Sequence, residues 1–134
     1  MKRLSFALFF ISLSVFSNTD RNCDISAPST NLAACYESKS KQADAELNKT
    51  YNNLKSTLLS SGYDKQSKEK YWSQLVQSQR YWIKLRDAQC YARGAFFEDS
   101  SIAQLIEIKK CLMNVTKERV FFLNDEIQFI HDLP

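Results

Sequence analysis

The sequence predicts an all-α fold: an antiparallel three-helix arrangement stapled by two disulfides. Three observations predict it. Apolar residues recur at steps of three and four along most of the chain, and no segment alternates as a strand does. No proline falls between residues 29 and 133, so nothing breaks a long helix there. Four cysteines follow an export-type leader, an even number in a chain bound for an oxidising compartment.

The leader comes first in the chain. Lys2 and Arg3 precede Leu4 to Phe16, an apolar run of 13 residues broken only by serines. Val15-Phe16-Ser17 supplies side chains tolerated at a cleavage site. Residues 1–17 therefore read as a secretory signal peptide, with 18–134 as one helical domain. A membrane-spanning helix needs about 20 apolar residues, and this run falls short. Asp20-Arg21-Asn22 ahead of Cys23 is not a lipidation box. The expected location is the periplasm or the medium of a bacterium, with no membrane span in the mature form.

The first helix is read from Leu32, Tyr36, Ala43, Leu47, Tyr51, Leu54 and Leu58, separated by Lys, Ser, Asn, Gln, Asp and Glu. Pro28-Ser29-Thr30-Asn31 starts it. Ser60-Ser61-Gly62 stops it, with Gly62 expected in the left-handed conformation. Asp64 is placed to cap the second helix. Trp72, Leu75, Gln79, Trp82, Arg86 and Cys90 share one stripe of that helix, which ends near Gly94. The loop Ala95-Phe96-Phe97-Glu98-Asp99 follows. Ser101-Ile102-Ala103-Gln104 has capping-box spacing. The third helix is expected to turn Leu105, Ile108, Leu112, Val115, Phe122 and Ile127 inward.

Composition excludes several function classes. Two glycines cannot build a phosphate-cradling loop or a dinucleotide-binding turn. One histidine, three residues from the last position, excludes a His-based zinc cluster and makes a poor catalytic base. Removing Lys2 and Arg3 with the leader lowers the formal charge from +3 to +1, which leaves no footprint for nucleic acid. No metal, cofactor or catalytic residue is expected, and the chain does not read as an enzyme.

The four cysteines are Cys23, Cys35, Cys90 and Cys111. They allow three pairings, of which Cys23–Cys35 with Cys90–Cys111 is favoured because each pair is local. A four-cysteine zinc site is the competing reading, but there is no C-x-x-C. Trp72 and Trp82, at helical spacing, read as core. Arg86 on a buried stripe needs a partner, since an unpaired buried guanidinium costs several kcal/mol. Asp44, Glu46 and Glu118 are the candidates, and structural anchoring is the expected role of Arg86 and of Arg119. The acids Glu98 and Asp99 are adjacent on the loop, which suits solvation or capping better than paired-carboxylate catalysis. Asn48-Lys49-Thr50 and Asn114-Val115-Thr116 match glycosylation sequons but fall within predicted helices.

Larger motifs run through the whole mature chain. They are Cys35; Leu47-Asn48-x-x-Tyr51-x-x-Leu54; Gln79-Arg80-x-Trp82-x-x-x-Arg86-Asp87-x-x-Cys90; and Cys111-Leu112-x-x-x-Thr116-x-x-Arg119-x-x-x-Leu123. Together they resemble the LprI-type family of small exported bacterial domains. The resemblance implies an exported helical domain with disulfides and, by analogy with the family's namesake, inhibition of lysozyme. The signature residues Gln79, Trp82, Arg86, Asp87, Thr116 and Arg119 mostly lie on faces expected to be buried, so they read as markers of fold. One departure stands out. Family members often carry a Gly-Gly-Ser or Gly-Gly-Thr turn between the third and fourth cysteines, where this chain has Phe96 to Ser101. That loop, with Arg93, Phe96, Phe97, Glu98 and Asp99, is the candidate contact for a protein partner. Whether the two phenylalanines face outward or fold beneath the loop stays open.

The expected function is thus an exported protein-binding domain that inhibits a lysozyme-type muramidase. The alternative is an envelope immunity, adaptor or regulatory protein with another partner. A mature charge of +1 counts against a simple electrostatic trap for basic lysozymes.

Overall fold

The computed structural model describes residues 23–133; the expected leader lies outside them. Three helices account for most of the described chain: α1 (Ser29–Ser60), α2 (Lys65–Gly94) and α3 (Ile102–Asp132). Both disulfides join the local pairs. Cys23–Cys35 ties the entry segment to the first turns of α1, and Cys90–Cys111 ties the end of α2 to α3, with Cα atoms 5.8 and 5.4 Å apart.

The direction of the helices follows from who meets whom. Glu37 pairs with Lys109 near one end, while Leu58 and Ile130 share the core near the other, so α1 and α3 run parallel. Cys90 meets Cys111 and Tyr71 meets Glu126, so α2 runs antiparallel to α3. The main interface is α1 against α3. α2 leans on α3 and touches α1 sparsely.

The core occupies the half of the bundle around Leu47, Leu54, Leu58, Leu75, Leu123 and Ile130. Leu54 and Leu123 are fully buried. Each such leucine is worth about 2–3 kcal/mol in apolar burial. Trp72 and Trp82 are half-buried at the margin of this core, not sealed inside it. Trp72 packs against Tyr51 with ring centroids 5.0 Å apart, and the Lys55 ammonium sits 5.5 Å from the Trp72 ring.

The first helix buries every residue of its expected stripe at least partly, and adds Ala33, Ser40 and Thr50. The third helix differs from expectation. Leu105 and Phe122 are exposed, and Ile108, Leu112, Val115 and Ile127 are half-buried. The buried residues are Cys111, Thr116, Arg119, Leu123 and Ile130. α3 serves two neighbours at once, so its buried band lies between them. Polar Thr116 and Arg119 are admitted there because each has a partner.

Helix ends show how local chemistry sets the boundaries. Asp64 caps α2 by accepting from the Ser67 amide at 2.9 Å and the Ser67 hydroxyl at 2.7 Å. Gly62 does not adopt the left-handed conformation. The chain instead leaves α1 through Ser61 in extended geometry, with the Ser61 hydroxyl donating to the Leu58 carbonyl at 2.7 Å. Lys68 of α2 then donates to the Leu59 and Ser61 carbonyls at 3.0 and 2.6 Å. A cation on orphan carbonyls does the work expected of a glycine turn.

Candidate functional site

The signature residues assemble into one polar cluster across the three helices. Arg86 is its hub, with a side chain only 14% exposed. Its Nη1 donates to Asp44 Oδ1 at 2.9 Å and to Thr116 Oγ1 at 3.2 Å, and its Nε donates to Asp87 Oδ1 at 2.9 Å. Glu46 and Glu118 are not its partners. The adjacent Asp87 is, because the planar guanidinium reaches back along its own helix while its other edge crosses to α1.

Arg119 forms the second half. Its Nε donates to the side-chain Oε1 of Gln79 at 2.9 Å, and its Nη2 donates to the Ser78 hydroxyl at 3.1 Å. Burial pushes the Arg119 pKa down, partly opposed by the charge of Glu126. The guanidinium carbons of Arg86 and Arg119 both lie over the Trp82 ring, 5.2 and 5.5 Å from its centroid, and Phe122 takes Arg119 at 4.4 Å. Cation–π attraction and hydrogen bonds to neutral acceptors thus hold a cation that meets no carboxylate directly among the described residues.

The loop between α2 and α3 has a different character. Phe96 is 91% exposed and Phe97 is 39% exposed, so neither is sealed beneath the loop. Glu98 and Asp99 are exposed beside them. This protruding composition stands on a rigid base. The Cys90–Cys111 bridge closes it from below. Arg93 pairs with Glu107 across the helices at 3.0 Å. Gly94 sits so close to α3 that an added Cβ would lie 2.7 Å from Ile108 Cδ1.

Gln104 completes the clamp. Its Oε1 accepts from the Ser100 amide at 2.9 Å, while its Nε2 donates to the Gly94 carbonyl and to Asp99 Oδ1, both at 3.3 Å. Its own amide donates to Ser101 Oγ at 3.1 Å, the expected N-cap of α3. The return bond of the capping box reaches Ser100 and not the cap residue itself. Ser100 has φ 62°, the left-handed region normally left to glycine. So the turn keeps a left-handed residue without a glycine. Sequence reasoning placed Ser100 in the loop and Gln104 in the α3 cap, but missed the left-handed backbone of the one and the bracing role of the other. The capping-box spacing pointed to Gln104, but nothing marks a serine for positive φ.

The far end of the bundle holds a hollow of about 470 Å³ lined by Thr57, Ser60, Ser61, Tyr63 and His131, among others. Its serines are committed to the helix. Ser60 donates to the Ser56 carbonyl at 3.0 Å and Ser61 to the Leu58 carbonyl at 2.7 Å. A hydroxyl held that way is not poised on a base. Among the described residues no group of three or more His, Cys, Asp or Glu could hold a metal ion.

Fold and loop together define the class: a small all-helical domain, doubly disulfide-bonded, that presents a braced hairpin tip. The comparison with known families narrows this. The family described as lysozyme inhibitor LprI matches residues 23–123, and the chain belongs to that family. No curated protein and no solved structure matches the chain.

Proposed function

We propose that this protein is an exported inhibitor that blocks a lysozyme-type muramidase with the tip between α2 and α3. The observation that carries this reading is the tip itself: an almost wholly exposed Phe96 on a loop braced by Gln104, a disulfide and an ion pair. Ordering a loop on binding costs about 0.5–1.5 kcal/mol per immobilised side chain, and a braced loop avoids much of that. Phe96 and Phe97 supply apolar anchors. Glu98, whose side chain makes no ion pair among the described residues, supplies a free carboxylate for a basic target. Family membership supports the inhibitory role, and the two disulfides support export through the leader at residues 1–17.

Under this reading Gln79, Trp82, Arg86, Asp87, Thr116 and Arg119 keep the helices in register and do not touch the target. The test is lysis of cell walls by a panel of lysozymes in the presence of the mature, oxidised protein. Lysis slows with wild type, and the Glu98→Ala/Asp99→Ala pair weakens inhibition. Phe96→Ala weakens it further. Absence of inhibition at high micromolar concentration across lysozyme types overturns the reading. The near-neutral mature charge favours a second reading, an envelope immunity or adaptor role with another protein. Capture of such a partner from periplasm by the wild type but not by Phe96→Ala would support it.

A further inference from the structure

The outer face of α2 carries an arrangement that the tip does not use. α2 is the least buried helix: only Leu75, Gln79, Cys90 and Gly94 are buried, against eight residues in α1. Tyr81, Leu85, Ala88 and Ala92 follow at i, i+4, i+7 and i+11, one face of a helix, and all are exposed. Tyr81 is 63% exposed, Leu85 64% and the flanking Tyr91 61%.

The charge on this helix is one-sided. α2 holds seven Lys and Arg against two acids. Both acids are spoken for, Asp87 by Arg86 and Glu69 by Lys65. Lys70 and Lys84, on or beside this face by helical spacing, are in no ion pair among the described residues, while Arg80 lies about 100° round from Tyr81, where its charge reaches Tyr51 of α1. The mature charge of +1 therefore conceals a basic helix balanced by acids elsewhere, two of them on the tip.

We propose that this face of α2 docks the protein on an anionic lipid bilayer surface. The charge complementarity names the sign of the partner, and the apolar residues name its kind. A carboxylated glycan or another polyanion would satisfy Lys70 and Lys84 but would leave Leu85 in water. A bilayer offers anionic headgroups with an apolar layer beneath them, into which a helix face sinks roughly 5–10 Å. Tyr81 and Tyr91 suit that boundary, with rings on the apolar side and hydroxyls in the headgroups. Docking is peripheral, since no helix among the described residues is long and apolar enough to cross a membrane. It leaves the tip free, so it does not depend on what the tip binds.

The experiment is sedimentation of the oxidised mature protein with vesicles of phosphatidylglycerol or of phosphatidylcholine. Binding is expected to the anionic vesicles, weakening as salt rises, and not to the zwitterionic ones. Lys70→Glu with Lys84→Glu should lower the partition coefficient by about tenfold or more, from the usual worth of a cation near an anionic surface. Leu85→Ser should lower it at unchanged charge. All three positions are exposed, and far-UV circular dichroism verifies that the variants fold. Lys49→Glu with Lys117→Glu changes net charge equally on other helices and should bind better than the α2 pair. The proposal is overturned by equal binding to both vesicle types, by equal effects of the two charge pairs, or by binding to peptidoglycan sacculi but not to vesicles. Lysozyme inhibition in free solution is unaffected by the α2 variants, which separates failure of this proposal from failure of the inhibitor reading.

Discussion

Arg86 converts a sequence oddity into an energetic one. Its guanidinium ties α1 and α3 to α2 through Asp44 and Thr116, and Asp87 fixes its orientation. Arg86→Ala should destabilise the fold by about 2–3 kcal/mol in urea denaturation, less than the loss of a fully buried pair because Asp44 is half exposed. Arg86→Lys should recover little of this, since one ammonium cannot replace the planar fork. Tyr71 gives a pH signature. Burial, and then its 2.6 Å bond to Glu126, push the Tyr71 hydroxyl well above its ordinary value of 10.0. A raised pKa in the folded state stabilises the fold fully below the unfolded value and loses that contribution as pH rises through the folded one. Stability should therefore fall at strongly alkaline pH, and Tyr71→Phe should flatten that fall while costing about 1–2 kcal/mol at neutral pH. At the tip, Ser100→Gly should be neutral or stabilising by up to about 1 kcal/mol, while Ser100→Val should destabilise, because φ 62° penalises a branched side chain. That Arg86 needed a partner was legible from its place on the stripe, and Asp44 was among the expected carboxylates. That Asp87 would turn back to it was not, because neighbouring helix residues ordinarily point apart.

At the scale of the element, helix extents were legible and helix faces only partly so. Pro28, Asp64 and Ser101 announce the three starts because each chemistry acts within a turn of its own position. α1 stops at Ser60 as expected, but its cap was misjudged: it comes from Lys68 on another helix and not from a left-handed Gly62, a contact no local pattern encodes. Lys68→Ala should cost about 0.5–1 kcal/mol and fray the last turn of α1, read as faster amide exchange there. The face of α3 was misjudged for a related reason. Periodicity finds one apolar stripe, while a helix shared by two neighbours buries a band and accepts bonded polar groups within it. Gly94 shows how tightly α2 and α3 approach. Alanine there would gain about 1 kcal/mol of helix propensity in isolation. Beside Ile108 Cδ1 and Cγ1, at 2.7 and 2.8 Å from the added Cβ, it should instead destabilise. Ile108→Val, which removes Cδ1, should relieve part of that cost, and a double-mutant cycle measures the coupling.

The molecule as a whole is unevenly held. α1 and α3 form the broad interface, and α2 is joined to α3 through a narrower one secured by Cys90–Cys111. Each bridge closes a short loop, 12 and 21 residues apart in sequence, and is worth about 3 kcal/mol. Native-state hydrogen exchange should thus show the first turns of α2, remote from the bridge, opening at lower free energy than α1 and α3. Uniform protection across the three helices would contradict this. The fold class was legible because period and cysteine parity are properties of the whole chain. Which pair of helices would dominate was not, since adjacency in sequence favours α1 with α2. That mismatch has a kinetic consequence. The strongest docking joins helices separated by all of α2, so a long loop must close before the reward arrives. Folding should be slower than in a bundle whose successive helices pair best. An oxidised Cys90–Cys111 should speed it by making α2 and α3 one hairpin before α1 arrives.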